Sequence, residues 1–346
     1  MTDWRPDVLG DEFECTDLNL GEENGAPLVA TLVRALPRPL SFWDRLWKHT
    51  RMLEDVDVLY VHGWNDYFFQ KSLARFYTER GARFFAIDLR RYGRSLREGD
   101  DPGYVDDLSD YFVEIDLALS LIQGAQAPHT DEVPHGAQQR RLLLLGHSTG
   151  GLVVSLWADK NRGRADALML NSPWLELQIS SVARKALAPV MGLRAKLSPK
   201  DLALPQLDLG FYSHALRNSC TEEELAIINR QWRPDQAPQV RTGWLSAIIV
   251  GQSTLNEGID VGAPVCVLLS QRSHFGLSWD DEMSHTDTVL EVGSVARSSL
   301  KLGSSVTIER IDGAVHDVFL SSPEPRKEAF DRMERWLRGW NAAVRP

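Results

Sequence analysis

The chain has no apolar run approaching the roughly 20 residues that span a bilayer. Its start, Met1-Thr2-Asp3-Trp4-Arg5-Pro6-Asp7, has neither the basic flank nor the apolar stretch of a secretory signal. Positive charge is in deficit: 38 Lys and Arg face 48 Asp and Glu, for a formal net charge of -10. A basic face for nucleic acid or an anionic membrane is therefore not expected. Cysteine is scarce. Cys15, Cys220 and Cys266 are far apart and odd in number, which fits neither a disulfide scaffold nor a zinc site. Cys266 lies within an apolar run and reads as a buried thiol. No G-x-G-x-x-G follows a strand-like run, and the group His274, Asp280, Asp281, Glu282 and His285 matches no closed ligand spacing. No cofactor and no metal are expected, and the expected setting is that of a soluble cytoplasmic protein.

What is present is ordinary globular composition, 43% hydrophobic and 25% charged, over 346 residues, enough for one large core with an insertion. Phe13 to Leu36 reads as two strands broken at Gly21 to Gly25. Short β-rich runs follow at Val56–Val61, Arg83–Ile87, Leu142–Leu145, Ala167–Leu170, Val265–Leu269 and Val306–Ile311, separated by helical stretches. Such near-continuous apolar runs predict a mostly parallel sheet covered on both faces. A last helix from about Glu324 carries Phe330, Met333, Trp336-Leu337 and Trp340 at core-facing spacing.

The alternation breaks between Asn171 and Arg241. About 70 residues there hold no good strand, several prolines and scattered aromatics, which is too long for a structureless loop of at most about 12–15 residues. The reading is a helical cap, residues 172–241, inserted over the strand ends of a core made of 1–171 and 242–346. Trp174, Phe211, Tyr212 and Trp232 are its candidate pocket walls.

The most informative run is Leu142-Leu143-Leu144-Leu145-Gly146-His147-Ser148-Thr149-Gly150-Gly151. A buried strand runs into G-x-S-x-G and then into a helix. The turn lifts the Ser148 hydroxyl above the strand end, while the helix start and the Thr149 backbone N–H aim partial positive charge at the same point.

Four segments together resemble the α/β-hydrolase superfamily, in its monoglyceride lipase, lysophospholipase and serine aminopeptidase-like branch. Val61-His62-Gly63-Trp64 resembles the oxyanion loop, and Asp88 to Ser95 the turn after the next strand, with Arg91 replacing a glycine. Gly146 to Gly151 is the nucleophile turn. Asp287-Thr288-Val289-Leu290 and Ile311 to His316 resemble the acid and histidine segments. The resemblance implies an eight-stranded sheet, a cap after its sixth strand, and the chain order Ser, acid, His. Ser148 is then the nucleophile, His316 the base, and the Trp64 and Thr149 backbone N–H groups the oxyanion donors. For the acid, Asp287 competes with Asp280 and Asp281, because an insertion, Gln271 to Thr286, precedes it. His62 is expected to brace its loop rather than to act as a base. The implied activity is hydrolysis of a small apolar acyl ester, such as a monoacylglycerol or lysophospholipid. Another use of the same triad (aminopeptidase, thioesterase, cofactor-free haloperoxidase) and a non-catalytic small-ligand receptor are the alternatives. The oligomeric state is not read from the sequence.

Overall fold

A computed structural model describes residues 3–23, 25–37, 51–124, 140–177, 192–203 and 210–344. Its strands are β1 (Arg5–Pro6), β2 (Glu14–Glu23), β3 (Ala26–Ala35), β4 (Val56–Val61), β5 (Arg83–Asp88), β6 (Arg141–His147), β7 (Ala167–Asn171), β8 (Val265–Ser270) and β9 (Val306–Ile311). They form one sheet in the order β1-β2-β3-β5-β4-β6-β7-β8-β9. β1, β2, β3 and β5 pair antiparallel in succession, and β5 through β9 form a parallel block.

The parallel strands inside the sheet are buried on both sides, whereas the edge strand β9 is mostly half-buried, and the residues of the inner strands divide by parity. Leu59, Val61, Leu142, Leu144, Leu168, Leu170 and Val267 enter one core layer. Val58, Tyr60, Leu143, Leu145, Met169, Cys266 and Leu268 enter the other. The first layer is covered by α2 (Asp110–Ile122), α3 (Thr149–Lys160), α6 (Thr242–Glu257) and α7 (Val292–Ser299). The second is covered by α1 (Lys71–Glu79) and α8 (Pro323–Val344). In α8 the stripe Met333, Leu337 and Trp340 is buried, with Phe330 and Trp336 half-buried at its edges. No described helix is long and apolar enough to cross a membrane.

Three details differ from the sequence expectation. The described sheet has nine strands, because Arg5–Pro6 pairs with Cys15 and Glu14. Two residues without an apolar pattern give no strand signal. With this strand counted, the sixth strand of the shared fold is β7. The turn of the first hairpin falls at its tip, near Gly25, and the Gly21 region is an irregularity inside β2, where the register shifts between Asn19 and Glu22. The insertion Gln271 to Thr286 loops out and returns: Asp287 pairs beside Ser273, its N–H donates to the Arg272 carbonyl at 3.0 Å, and its carbonyl accepts from His274 N–H at 3.0 Å. Asp287 is thus delivered to the end of β8 as though no insertion were there.

Between β7 and α6 the described residues include α4 (Phe211–Ser219) and α5 (Glu222–Ile227), the latter capped by Thr221, whose hydroxyl accepts from Glu224 N–H at 3.3 Å. Residues 178–191 and 204–209 of the expected cap lie outside the described residues.

Candidate active site

The site gathers at the carboxyl ends of the parallel strands, where open α/β sheets bind ligands. Ser148 sits between β6 and α3 with φ 52° and ψ -118°, a conformation L-residues avoid. The neighbouring glycines permit it. A Cβ on Gly150 would collide with the carbonyl oxygens of Val61 and His62, and one on Gly146 would lie 2.6 Å from Gly151 Cα. The turn therefore lies directly against the end of β4.

His316 follows β9, and its Nδ1 donates to Asp287 Oδ2 at 2.9 Å. Both are buried, at 2% and 0% exposure. The other oxygen of Asp287 accepts from the backbone N–H groups of Val289 and Leu290 at 2.7 and 2.8 Å. With Nδ1 protonated toward Asp287, Nε2 is left as the basic nitrogen. Asp280 and Asp281 are exposed and do other work: Asp280 accepts from Glu282 N–H at 2.8 Å, and Asp281 accepts from the Trp279 indole at 3.4 Å.

His62 is tied at both ring nitrogens. Nδ1 donates to the Gly63 carbonyl at 2.8 Å, and Nε2 accepts from Leu89 N–H at 3.1 Å. Burial pushes its pKa down, which keeps the ring neutral for this bracing role. The ring thus links the ends of β4 and β5. Trp64 follows, its indole packed on Trp244 with ring centroids 3.9 Å apart. Among the described residues, the backbone N–H groups of Trp64 and Thr149 have no protein acceptor.

Ser148, His316, Trp64 and Thr149 line one cavity of about 640 Å³. Trp174, Leu177, Phe211, Phe275, Met283 and Leu290 give it an apolar wall, and Tyr212 meets His316 edge-on at 5.3 Å. Trp232 does not line this cavity. Its indole turns away and packs edge-on against Tyr67 with centroids 5.3 Å apart, so its expected place in the wall is corrected.

Several residues here carry no sequence signature. Asp66 and Arg233, both buried, form an ion pair at 3.1 Å on the cavity lining. Burial pushes the Asp66 pKa up, and the Arg233 charge opposes this. His147, beside the serine, lies 5.1 Å from His316 ring to ring and has its pKa lowered by burial. Asp317 is buried and accepts from Asn171 Nδ2 at 2.7 Å, Phe319 N–H at 3.0 Å and Gln70 Nε2 at 3.2 Å. This network ties the histidine loop to the end of β7. Nothing local pointed to Arg233.

The sequence pattern of the family described as "Serine aminopeptidase, S33" matches residues 55–272, which include the nucleophile turn and the end of β8. The chain belongs to this family of α/β-hydrolases. Its fold is also that of several solved structures. A soluble variant of monoglyceride lipase from Saccharomyces cerevisiae, in complex with a substrate analog, is 15% identical, covers 97% of this chain and 99% of its own, and has a TM-score of 0.64. A monoacylglycerol lipase of Paleococcus ferrophilus is 18% identical, with 89% and 99% covered and a TM-score of 0.59. A thermostable carboxyl esterase from Bacillus coagulans in complex with glycerol is 13% identical, with 94% and 99% covered and a TM-score of 0.63. No curated protein matches the chain.

Proposed function

We propose that the protein is a serine hydrolase that cleaves carboxylic esters, namely monoacylglycerols, lysophospholipids or similar small apolar acyl esters. The observation that carries this is His316, bonded behind to the buried Asp287 and lining the same cavity as the strained Ser148. In this reading Nε2 of His316 takes the Ser148 proton as the hydroxyl oxygen attacks the ester carbonyl. Asp287 stabilises the imidazolium. The Trp64 and Thr149 N–H groups, with the α3 terminus behind Thr149, hold the oxyanion. His316 then returns its proton to the leaving alcohol, and water hydrolyses the acyl-enzyme by the same route. The described residues between β7 and α6 that line the cavity, Trp174, Leu177, Phe211, Tyr212 and Arg233 among them, serve as a cap over the site. The wall formed by Trp174, Leu177 and Phe211 supports an apolar acyl chain as the group held there.

The test is labelling by a fluorophosphonate together with a panel of p-nitrophenyl esters and aminoacyl anilides. Wild-type protein should be labelled and should prefer the esters. Ser148→Ala should take no label and lose on the order of 10⁴–10⁶ in kcat. Labelling that persists in Ser148→Ala would remove the nucleophile assignment, and preference for the anilides would replace the esterase by an aminopeptidase.

A further inference from the structure

The segment that presents Trp64 is held from two sides. On the core side His62 fastens it to Leu89. On the other side three consecutive residues are bonded to the cap. Asn65, in the left-handed region at φ 55°, donates from Nδ2 to the Pro234 carbonyl at 3.0 Å. Asp66 accepts from Arg233 Nε at 3.1 Å. The Tyr67 hydroxyl donates to the Ile227 carbonyl at 3.2 Å and accepts from Asn229 N–H at 2.8 Å. Trp232 closes against the Tyr67 ring. The cap stretch from Ile227 to Pro234 is therefore clasped to the loop that begins at Trp64.

The ion pair is the buried centre of this clasp. Both side chains are 6% exposed, and in such surroundings each charge needs the other. Among the described residues the Arg233 guanidinium donates a hydrogen bond to Asp66 alone, while the Arg233 backbone N–H donates to the Asn229 carbonyl at 2.9 Å, so Asp66 is what holds the side chain. The Arg233 guanidinium also lies 5.4 Å from the Tyr212 ring, which in turn meets His316.

We propose that Arg233 is a positioning residue for the oxyanion hole. Acting through Asp66, it fixes the loop that carries the Trp64 N–H, so the hole is complete only while this part of the cap is seated. The inference rests on the hydrolase reading above. Substrate in its ground state does not need the Trp64 N–H at its final position, whereas the tetrahedral oxyanion does. Loosening the clasp should therefore act on kcat and spare KM.

The experiment uses the full chain, p-nitrophenyl butyrate as substrate and a trifluoromethyl ketone as mimic of the tetrahedral state. Arg233→Gln and Asp66→Asn should each lower kcat roughly 10–100-fold, leave KM within about threefold and weaken the ketone by a factor similar to the loss in kcat. The double variant should be no worse than the poorer single one, because the two residues act as a unit. Arg233→Lys should recover part of the rate. If Arg233→Gln does not give a cooperative melt, Tyr67→Phe carries the same expectation, since it keeps the ring and removes two bonds of the clasp. Folded variants with kcat within threefold of wild type would overturn the proposal. So would a raised KM with unchanged kcat, which would make Arg233 a substrate contact. Wild-type protein that neither hydrolyses the ester nor takes the fluorophosphonate would overturn the hydrolase reading and the positioning role with it. A failure of the clasp alone shows as wild-type activity in the variants.

Discussion

Asp287 holds His316 with one oxygen and its own loop with the other. Oδ2 accepts from the imidazole Nδ1 at 2.9 Å, while Oδ1 accepts from Val289 and Leu290 N–H at 2.7 and 2.8 Å. The carboxylate is thereby oriented by the backbone before the histidine is considered. The two backbone donors also decide what an amide would do in its place.

In Asp287→Asn the amide oxygen should stay on the Val289 and Leu290 donors, which turns the NH₂ toward His316. Nδ1 must then accept, the proton moves to Nε2, and the base is lost. A fall in kcat of roughly 10²–10⁴ is expected, with Asp280→Asn and Asp281→Asn within about tenfold of wild type. Steady-state rates on one soluble ester decide between them. The assignment fails if either of the tandem aspartates shows the large loss and Asp287 does not.

The cavity wall predicts a difference between two aromatics of the segment between β7 and α6. Phe211→Ala should lower kcat/KM for octanoyl esters roughly 3–30-fold more than for acetyl esters, because apolar contact is lost along a long chain only. Trp232→Ala should leave that long-to-short ratio unchanged and reduce stability by about 2 kcal/mol, as expected for a half-buried indole packed on Tyr67. A changed chain-length ratio in Trp232→Ala would return that residue to the pocket.

Glu114 gives a pH signature to folding. It is buried on α2, accepts from Arg90 N–H at 2.8 Å and pairs with the Arg90 guanidinium. Burial, only partly offset by Arg90, pushes its carboxyl up to about 7 from 4.5. Between those values the folded protein holds a proton that the unfolded chain has released. The resulting stability is fully present below pH 4.5 and is lost as the pH rises to about 7. Urea unfolding should therefore show wild type losing stability relative to Glu114→Gln across this window, with a flat difference above it. A difference that moves the opposite way would mean that Arg90 keeps the carboxylate ionised.

Gly150→Ala should fail to give soluble, cooperatively folded protein, or should melt many degrees below wild type. The added methyl meets two backbone carbonyl oxygens, which cannot rotate out of its way as a side chain could. A near-normal melting curve would show that the end of β4 can retreat.

The parts of this molecule that were legible in the sequence are those where neighbours in the chain are neighbours in the chemistry. β4 and β9 occupy the runs Val56–Val61 and Val306–Ile311 read from apolar β-rich residues alone. The geometry of Ser148 follows from small residues within two positions of it. His316 can be read from its place after the last strand; for the acid, Asp287 stands beside Asp280 and Asp281 in the sequence, and the N–H groups of the apolar pair behind Asp287 are the ones that hold it. What was not legible depends on long loops closing. Asp66 and Arg233 are 167 positions apart and lie in segments with no periodic pattern. Trp232 reads as a pocket wall from the aromatics of its segment, but composition does not say which way an indole points, and it packs on Tyr67 instead. The strand at Arg5–Pro6 exists because β2 offers an edge, which its own two residues do not announce.

Arg94 has a consequence for the order in which the chain can assemble. Its guanidinium lies between Asp7, at 2.6 and 2.8 Å, and Asp88, at 2.7 Å, in a site buried from solvent. Asp7 is made 87 residues before this partner. During synthesis the hairpin β2–β3 can close early from local contacts, but its inner edge stays open until β5 arrives, and the charge at Asp7 stays unmatched until Arg94 emerges. The amino-terminal end of the sheet thus depends on residues from later in the chain both for its inner strand edge and for its buried charge pairs. A ribosome halted shortly before residue 94 should expose an unfinished strand edge that is open to a chaperone or to a second nascent chain.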